Sequence, residues 1–416
     1  CIADDASVNP NIKNILKSYA EQDSRIRLIF IEERGHISKT SNAALDIAQG
    51  TFAIFLDHDD ELREHSLLRI VEEINKSPKV RFLYSDEDKI DEKGNRYDHH
   101  FKTKWNPDLL LSQNYICHLA CCEIELLRKS NGFREGFEGA QDWDLFLRIT
   151  ERLKKEEISH IPEILYHWRA SSKSTASSLT TKSYVHEAAL KTLEDTIKRR
   201  CLKATPKLVD KKNGYWRIAY AIPSDEPLVS ILIPTKDRID LLKTCIDSIL
   251  KITEYKNFEI LILDNDSIEE NSHKYFEQLS EIKNIKVIRV KGFFNYSYIN
   301  NYGVKLANGN ILAFINNDIE ITHPEWLHEM VSHAIRKDIG CVGAKLLYPN
   351  KTIQHAGVII GIGGVAGHSF KNYPSTHSGY KHRLKLVQNY SAVTAACLVV
   401  KKGIFEQVGG FDEVNL

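Results

Sequence analysis

Two stretches of the sequence decide the fold: GTFAIFLDHDD at residues 50–60 and GNILAFINND at residues 309–318. Each is a short apolar run that starts after a glycine and ends in acidic or amide side chains, which is typical of a buried strand followed by a turn. Elsewhere such runs alternate with segments of helical period, the pattern of parallel strands joined by helices. We therefore predict an α/β fold.

The two stretches belong to an internal repeat. Asp4 precedes Asp59 by 55 positions, and Asp264 precedes Asp318 by 54. Two copies of one unit explain this spacing better than chance does. All four aspartates are predicted at the carboxyl ends of strands, where open α/β sheets bind ligands.

The repeat predicts two tandem domains, residues 1–205 and 226–416, joined by a polar linker at residues 206–225. The second copy opens with the apolar run PLVSILIPT at residues 227–235, a first strand. Only three residues precede Asp4, so we expect the first copy to lack this strand.

Composition excludes several classes of protein. Lys+Arg and Asp+Glu both number 56, so the chain has no overall basic field and nucleic acid is a poor candidate partner. The eight cysteines lack a regular disulfide spacing, which favours the cytoplasm. No apolar run approaches the ~18 residues of a membrane span, so the expected location is the cytoplasm, with the inner face of the membrane as an alternative.

The segment CHLACC at residues 117–122 has two interpretations. Cysteine and histidine are zinc ligands, but no second pair of matching spacing follows them. The surrounding run is apolar, so a buried strand is the favoured interpretation.

The acidic cluster DHDD at residues 57–60 follows an apolar strand. Hard divalent cations such as Mg²⁺ or Mn²⁺ bind oxygen ligands, commonly one or two carboxylates together with substrate phosphates. Aspartate is also favoured in plain turns and helix caps, which leaves a structural interpretation open.

Several motifs occur in an order that resembles family 2 glycosyltransferases of the GT-A fold. The motifs are DDAS at residues 4–7, DHD at 57–59, QD at 141–142 and YHWR at 166–169. Two further phrases, YSDED at residues 84–88 and QHAG at 354–357, look like those of bacterial enzymes that build O-antigen and other surface polysaccharides. The resemblance covers nearly the whole chain and does not identify the sugar.

The resemblance implies roles for residues of the first copy. Asp4 and Asp5 would hydrogen-bond the nucleotide, and Asp57 with Asp59 would hold Mg²⁺ or Mn²⁺ on the diphosphate. His167 would contact the metal or the diphosphate, and Arg169 would contact a phosphate. A packed strand end is the structural alternative for His167.

Asp142 matches the general base of the family, which takes the proton of the acceptor hydroxyl. Direct attack on the anomeric carbon would invert its configuration. The same residue would also serve as a first-turn acid of a helix, and both roles are compatible. By the spacing after Gly132-Phe133, the base of the second copy would fall at position 420, beyond Leu416.

The second copy departs from the first at the strand end. Asn316 replaces the first carboxylate, although its amide oxygen can still be a ligand. The resemblance places Pro234, Asp264 and Asn316 in a donor site and Asp318 on a metal. It also places residues 355–368, a glycine-rich stretch, beside the acceptor.

The predicted function is transfer of a sugar from a UDP-, GDP- or dTDP-linked donor to a polysaccharide or lipid-linked acceptor. One alternative is that the second domain is a degenerate carbohydrate-binding or scaffolding module, because of Asn316. A nucleotidyltransferase is a weaker alternative, since PTKDR at residues 234–238 lacks the glycines of a phosphate loop.

Overall fold

The computed structural model describes residues 1–170 and 183–415. The chain divides into two compact units, Cys1–Ile218 with Lys385–Asn389 and Ala219–Leu384 with Tyr390–Leu416. No helix in the described ranges is long and apolar enough to cross a bilayer.

Strands of the first unit lie in three sheets, with helices between them along the chain. The strands are β1 (Ile2–Asp5), β2 (Leu28–Ile31), β3 (Phe52–Ile54), β4 (Glu61–Leu62), β5 (Phe82–Ile90), β6 (Arg96–His100), β7 (Ala120–Glu123), β8 (Ile158–Arg169), β9 (Ala204–Asp210) and β10 (Tyr215–Tyr220), which ends just past the unit boundary. The helices are α1 (Pro10–Gln22), α2 (His36–Asp46), α3 (Ser66–Lys76), α4 (Pro107–Ser112), α5 (Ile124–Lys129), α6 (Gln141–Thr150) and α7 (Ser183–Arg199).

The main sheet of the first unit has the strand order β3-β7-β5-β8-β4, with β6 paired to β5. Strand β5 runs parallel to β8 and antiparallel to β7. Strands β1 and β2 form a separate parallel pair. Among the described residues of this unit, no strand pairs with both β1 and β3.

Residues 206–225, predicted to be a polar linker, instead contain most of the two-stranded sheet formed by β9 and β10. Side chains of β10 alternate between buried and half-buried, with Trp216, Ile218 and Tyr220 on the buried face. This period of two is the pattern of a half-buried strand. The polar residues on either side make the same segment resemble a linker in the sequence.

The second unit contains the more regular sheet. Its strands are β11 (Val229–Thr235), β12 (Phe258–Asp264), β13 (Ile285–Arg289), β14 (Ile311–Ile315), β15 (Cys341–Gly343), β16 (Leu346–Leu347), β17 (Ile353–His355), β18 (Val358–Ile360), β19 (Ala366–His368) and β20 (Cys397–Lys401). Its helices are α8 (Ile239–Ile252), α9 (Glu270–Ser280), α10 (Tyr296–Leu306), α11 (Trp326–Ala334) and α12 (Lys402–Gln407).

Six of these strands have the order β13-β12-β11-β14-β20-β15, in which the first four are parallel and β20 is antiparallel. Every residue of β11 is buried, as expected for a strand covered on both faces. Helix α8 packs Leu242, Ile246 and Ile249 against the sheet. The predicted α/β fold class is confirmed, and the carboxyl ends of β11, β12 and β14 meet at one edge.

Each unit contains the same kind of side-chain clamp, which supports the repeat. Asn42 of α2 accepts a hydrogen bond from Phe133 N and donates one to Phe133 O, both at 2.8 Å. Asn301 of α10 makes the same pair of bonds with Phe411, at 3.0 and 2.8 Å. The glycine before each phenylalanine leaves room for the amide, since an added Cβ at Gly132 would lie 2.3 Å from Asn42 Oδ1.

A candidate metal and donor site in the first unit

The turn after β3 brings two carboxylates together. Asp60 N donates to Asp57 O at 3.2 Å, which folds the DHDD cluster back on itself. The Asp60 carboxylate accepts hydrogen bonds from the Tyr166 hydroxyl and, at 2.8 Å, from Arg169 N. Burial raises the pKa of Asp60, and the neighbouring charge of Asp57 acts in the same direction. Two carboxylates this close therefore favour a bound cation.

His118 completes this cluster from the opposite strand segment. Its Nε2 lies 3.9 Å from Asp57 Oδ2. Its ring stacks on Tyr166, with centroids 4.6 Å apart and planes inclined by 11°, and meets Trp168 edge-on at 5.9 Å. The aromatic contacts hold the imidazole beside the two carboxylates.

Within the described residues, ligand atoms of Asp57, Asp60 and His118 all lie within 4.8 Å of one another. Carboxylate oxygens suit Mg²⁺ and Mn²⁺, and imidazole is a common additional ligand of transition metals. These residues therefore fit a divalent cation such as Mn²⁺.

This cluster differs from the predicted set of Asp57, Asp59 and His167. The Asp59 side chain is exposed, and its carbonyl accepts from Arg169 Nε at 2.9 Å. His167 pairs with Asp88 instead, since its Nδ1 lies 2.5 Å from Asp88 Oδ1. The preceding residue of β8, Tyr166, is the one that contacts Asp60 and His118. The predicted roles of Asp59 and His167 at the metal remain predictions.

Arg169 extends the same corner of the site. Its guanidinium pairs with Glu61 as well as with the Asp59 carbonyl. The side chain is half-buried, and a phosphate that displaced Glu61 would meet a fixed positive charge. Its phosphate contact remains a prediction.

Asp142 opens helix α6 beside His118. Its Oδ2 accepts from Asn114 Nδ2 at 2.7 Å, and its Oδ1 accepts from Trp143 N at 2.8 Å. Burial raises the pKa of Asp142, while the charge of His118 opposes the shift. A carboxylate with a raised pKa is better matched to proton transfer near neutral pH.

Buried charges on β5 fix the loop that carries His118. Glu87 Oε2 accepts from His118 N at 2.9 Å and lies 3.4 Å from Lys102 Nζ. Lys102 Nζ also donates to the carbonyls of Ile116 and His118. Burial alone would raise the pKa of Glu87, but Lys102 and His100 outweigh it and hold the pKa at about 2.

The two carboxylates on either side of Glu87 are also paired. Asp86 Oδ1 lies 2.7 Å from His160 Nε2, and Asp88 Oδ2 lies 2.6 Å from Arg96 Nε. Asp88 also holds His167. Buried carboxylates are stable only when paired in this way, so the YSDED phrase forms a charged support beneath the site.

Asp4 and Asp5 lie at the end of β1, as their sequence position predicted. Asp4 is buried and accepts from Ser7 N at 3.2 Å. Asp5 accepts from Gly35 N at 2.6 Å. Burial raises the pKa of Asp5, but hydrogen bonds from Gly35 and Thr40 outweigh it and lower the pKa. Both carboxylates accept backbone hydrogen bonds, and their contact with a nucleotide remains a prediction.

The second unit has the corresponding strand ends. Asp264 is buried, accepts from Ser267 N at 2.9 Å and lies 3.8 Å from Arg289 Nη1. Pro234 is buried within β11, opposite Leu263. The Asp264 contact with Ser267 repeats that of Asp4 with Ser7.

Strand register shows what replaces the metal cluster in the second unit. Ile319 N donates to Asn316 O at 3.2 Å, the same turn that Asp60 and Asp57 make. On the neighbouring strand, Asn316 N donates to Ala396 O at 3.0 Å. In the first unit, Ile54 of β3 lies opposite Cys121 of β7, and continuing this register by three residues places His118 opposite Asp57. The counterparts of Asp57, Asp60 and His118 are therefore Asn316, Ile319 and Ala396, whereas Asp318, the predicted metal residue, is an exposed side chain.

The ligand set predicted from the sequence omits His118 and Asp60, although Asp60 belongs to the DHDD cluster considered for a cation. The signal for His118 in the sequence is its place in the CHLACC segment, whose apolar surroundings favour a buried strand. Its approach to Asp57 depends on the pairing of β3 with β7, which the linear sequence does not reveal.

The chain is similar to several characterised and uncharacterised proteins. It is 46% identical over its full length to an uncharacterized protein, y4gI, of Sinorhizobium fredii, of which it covers 46%. It is 38% identical over 99% of its length to the O-antigen biosynthesis protein RfbC of Myxococcus xanthus, of which it covers 32%. The chain thus spans less than half the length of these relatives.

Among solved structures, the chain has a partial likeness to the mannosyltransferase PcManGT of Pyrobaculum calidifontis in complex with GDP-Man and Mn²⁺. That likeness has a TM-score of 0.34 at 14% identity and covers 55% of this chain and 56% of that one. S. aureus TarS in complex with UDP-GlcNAc gives a TM-score of 0.38 at 16% identity, covering 47% and 56%. Similarity at this level adds nothing to the assignment of a family.

The model of the family described as glycosyl transferase family 2 matches residues 1–131 and 230–409. One matched segment lies within residues 1–205 and the other within residues 226–416, and together they make up well over half of the chain. The chain belongs to glycosyl transferase family 2.

Proposed function

We propose that this chain transfers a sugar from a nucleotide-sugar donor to a glycan acceptor, and that the first unit carries the metal-dependent donor site. The observation that supports this most strongly is the convergence of Asp57, Asp60 and His118 beside Asp142. The first three residues suit a diphosphate bound through a cation, and Asp142 suits an acceptor hydroxyl.

Donor binding would use the polar residues around the turn after β3. Asp57, Asp60 and His118 would hold Mg²⁺ or Mn²⁺, and Tyr166 would keep Asp60 and His118 in place through its hydroxyl and its ring. A bound cation supplies Lewis-acid stabilisation of the negative charge on the leaving diphosphate. Arg169 would contribute a second positive charge.

Asp142 would act as the general base. Its carboxylate takes the proton of the acceptor hydroxyl while that oxygen forms a bond to the anomeric carbon. The bond from the same carbon to the diphosphate oxygen breaks, and the electron pair leaves with the nucleoside diphosphate. A single displacement of this kind inverts the anomeric configuration. Asn114, which donates to Asp142, would orient the carboxylate.

The acceptor we propose is a growing surface polysaccharide or a lipid-linked glycan of the O-antigen type, at the inner face of the membrane. The similarity to the O-antigen biosynthesis protein RfbC supports this class of product. A 26% identity to bacterial chondroitin synthases over 40% of the chain supports polysaccharide synthesis more broadly.

A second role is proposed for the second unit. Asn316, Ile319 and Ala396 replace the three ligands of the first unit, and both Ile319 and Ala396 pack against the apolar core. This favours a unit that binds a sugar or nucleotide without the first unit's metal cluster, as a carbohydrate-binding or scaffolding module. Asp318 remains a carboxylate at this strand end, so a second transferase domain is the alternative.

Calorimetric titration with UDP, GDP and dTDP, with and without Mn²⁺, tests the proposal. The parent chain is expected to bind one of these nucleotides in a metal-dependent manner, and Asp60→Asn is expected to abolish that dependence. His58→Ala is the matched control, because His58 is exposed and adjacent to the cluster. Unchanged metal-dependent binding by Asp60→Asn would contradict the assigned site, and no nucleotide binding by the parent would contradict the proposed function.

A further inference from the structure

A hairpin of the second unit carries apolar side chains into solvent. It consists of β18, β19 and the connecting residues 361–365, with the sequence VIIGIGGVAGH from Val358 to His368. At its end, Ile360 is 67% exposed, Ile362 50% and Val365 81%. Ten consecutive residues, 358–367, include no charged or hydrogen-bonding side chain.

The hairpin is a formed structure and not a frayed segment. Ser369 N donates to Gly357 O at 2.9 Å and closes the base, and Gly361 N donates to Val365 O at 2.9 Å and closes the tip. At the base, His355 Nε2 accepts from Gly357 N at 3.2 Å, so its Nδ1 carries the proton and donates to His368 Nδ1 at 2.9 Å. The exposure of the tip is therefore fixed by the backbone.

No described residue lies close to the three glycines of the tip. A Cβ atom built on Gly361, Gly363 or Gly364 would meet no atom within 4 Å. All three glycines have positive φ, of 96°, 65° and 91°, so the turn requires them. A contiguous exposed apolar patch held in this way is typical of an interaction surface.

The charge of the chain on either side of the hairpin indicates what that surface meets. Residues 339–384 contain no aspartate or glutamate, whereas they contain four lysines and one arginine. Two exposed lysines, Lys351 and Lys371, lie on chain segments that pair with each other, because Ile353 N donates to Tyr373 O at 2.8 Å and Thr352 bridges Pro374. An apolar tip with cations and no anions in the adjoining chain is complementary to an anionic lipid surface.

We propose that residues 358–368 form a membrane-docking hairpin, in which Ile360, Ile362 and Val365 enter the interface of an anionic bilayer and the neighbouring lysines contact its headgroups. The inference deepens the proposed location at the membrane face and names the element responsible for it. It does not depend on the donor site of the first unit.

Sedimentation with vesicles of phosphatidylglycerol and phosphatidylcholine tests the hairpin. The parent chain is expected to bind these vesicles, to bind phosphatidylcholine vesicles weakly, and to lose binding as salt is added, because salt screens the headgroup charge. The triple substitution Ile360→Ser, Ile362→Ser and Val365→Ser is expected to lower the partition coefficient by about tenfold or more. Each substitution removes apolar surface that the parent would transfer from water into the bilayer interface.

Two controls separate docking from folding. Val408→Ser removes an exposed apolar side chain of the same unit, 71% exposed, and is expected to sediment like the parent. The triple variant should keep the far-ultraviolet circular dichroism and the nucleotide affinity of the parent. A parent chain that binds no nucleotide would contradict only the proposed function. Vesicle binding tests the hairpin proposal separately.

Two kinds of result, from sedimentation with vesicles and from the oligomeric state, would overturn the hairpin proposal. One is a parent chain that does not sediment with anionic vesicles, or a triple variant that sediments as the parent does. The other is a parent that is dimeric by analytical ultracentrifugation and becomes monomeric on the triple substitution, because a second copy would then cover the tip.

Discussion

The imidazole of His118 lies parallel to the phenol ring of Tyr166, with ring centroids 4.6 Å apart. The hydroxyl of the same tyrosine donates to Asp60, and it also accepts from Asp57 N at 3.3 Å. One side chain therefore positions all three residues of the candidate metal cluster, through its ring on one side and its hydroxyl on the other.

Tyr166→Phe is expected to weaken Mn²⁺ binding by about tenfold or more, the usual effect of removing a group that orients a metal ligand. The ring and its stacking on His118 are retained, whereas Asp60 loses a hydrogen bond. Mn²⁺ affinity measured by calorimetry in the presence of a nucleoside diphosphate checks this. Tyr97→Phe, at an exposed tyrosine on β6, is the matched control, and equal affinity in both variants would show that Tyr166 does not position the ligands.

Asp142→Asn is expected to lower the turnover rate by about 10²- to 10⁴-fold while nucleotide affinity stays the same, because only proton removal from the acceptor is affected. Release of nucleoside diphosphate with a glycan acceptor gives the rate. Asp46→Asn, at an exposed position of α2, should retain full activity. Loss of nucleotide binding in Asp142→Asn would assign the residue to the donor instead.

The rate is also expected to fall on acidification at a higher pH than an ordinary aspartate would allow. Burial raises the pKa of Asp142 above 3.8, and the carboxylate must be ionised to accept a proton. A pH profile of the rate at saturating donor measures this. A rate that remains constant down to the ordinary pKa of aspartate would contradict the role.

Glu87→Gln is expected to destabilise the first unit at neutral pH, since Lys102 would lose its buried partner. In the parent, the pKa of Glu87 is lowered from 4.5 to about 2, so its contribution to the free energy of unfolding is present above pH 4.5 and is lost as the pH falls towards 2. That contribution is on the order of 3 kcal/mol at about 1.4 kcal/mol for each pKa unit.

Denaturant unfolding at pH 7 and at pH 3 measures both effects. The parent should lose more stability between these values than Glu87→Gln does. Glu92→Gln, at an exposed position in the turn between β5 and β6, should behave as the parent. Equal pH dependence of the parent and Glu87→Gln would show that the buried carboxylate does not contribute in this way.

Asn42→Ala and Asn301→Ala are expected to cost about 1–3 kcal/mol each, because each leaves the N–H and the C=O of a phenylalanine without a partner. The clamps occupy equivalent places, so the losses should be similar in the two units. Urea unfolding measures them, with the exposed Asn11→Ala as the control. Free energies of unfolding unchanged by both substitutions would exclude a structural role for the clamps.

The repeat could be read from the sequence because its two strand ends carry the same order of apolar and acidic residues. The positions of Asp4, Asp264 and Asp142 at element ends followed from local patterns of this kind. His118 could not be found in the same way, because its approach to Asp57 depends on which strands pair and in which register. For the same reason, the replacement of His118 by Ala396 in the second unit was not visible from the change of Asp57 to Asn316.

The metal cluster of the first unit is tested most directly by pulsed electron paramagnetic resonance of Mn²⁺ bound to the chain with a nucleoside diphosphate. Coupling to a directly bound nitrogen is predicted for the parent and for Asp318→Asn, and its loss is predicted for His118→Ala. Nitrogen coupling that persists in His118→Ala, or a parent that binds no Mn²⁺, would contradict the proposed site.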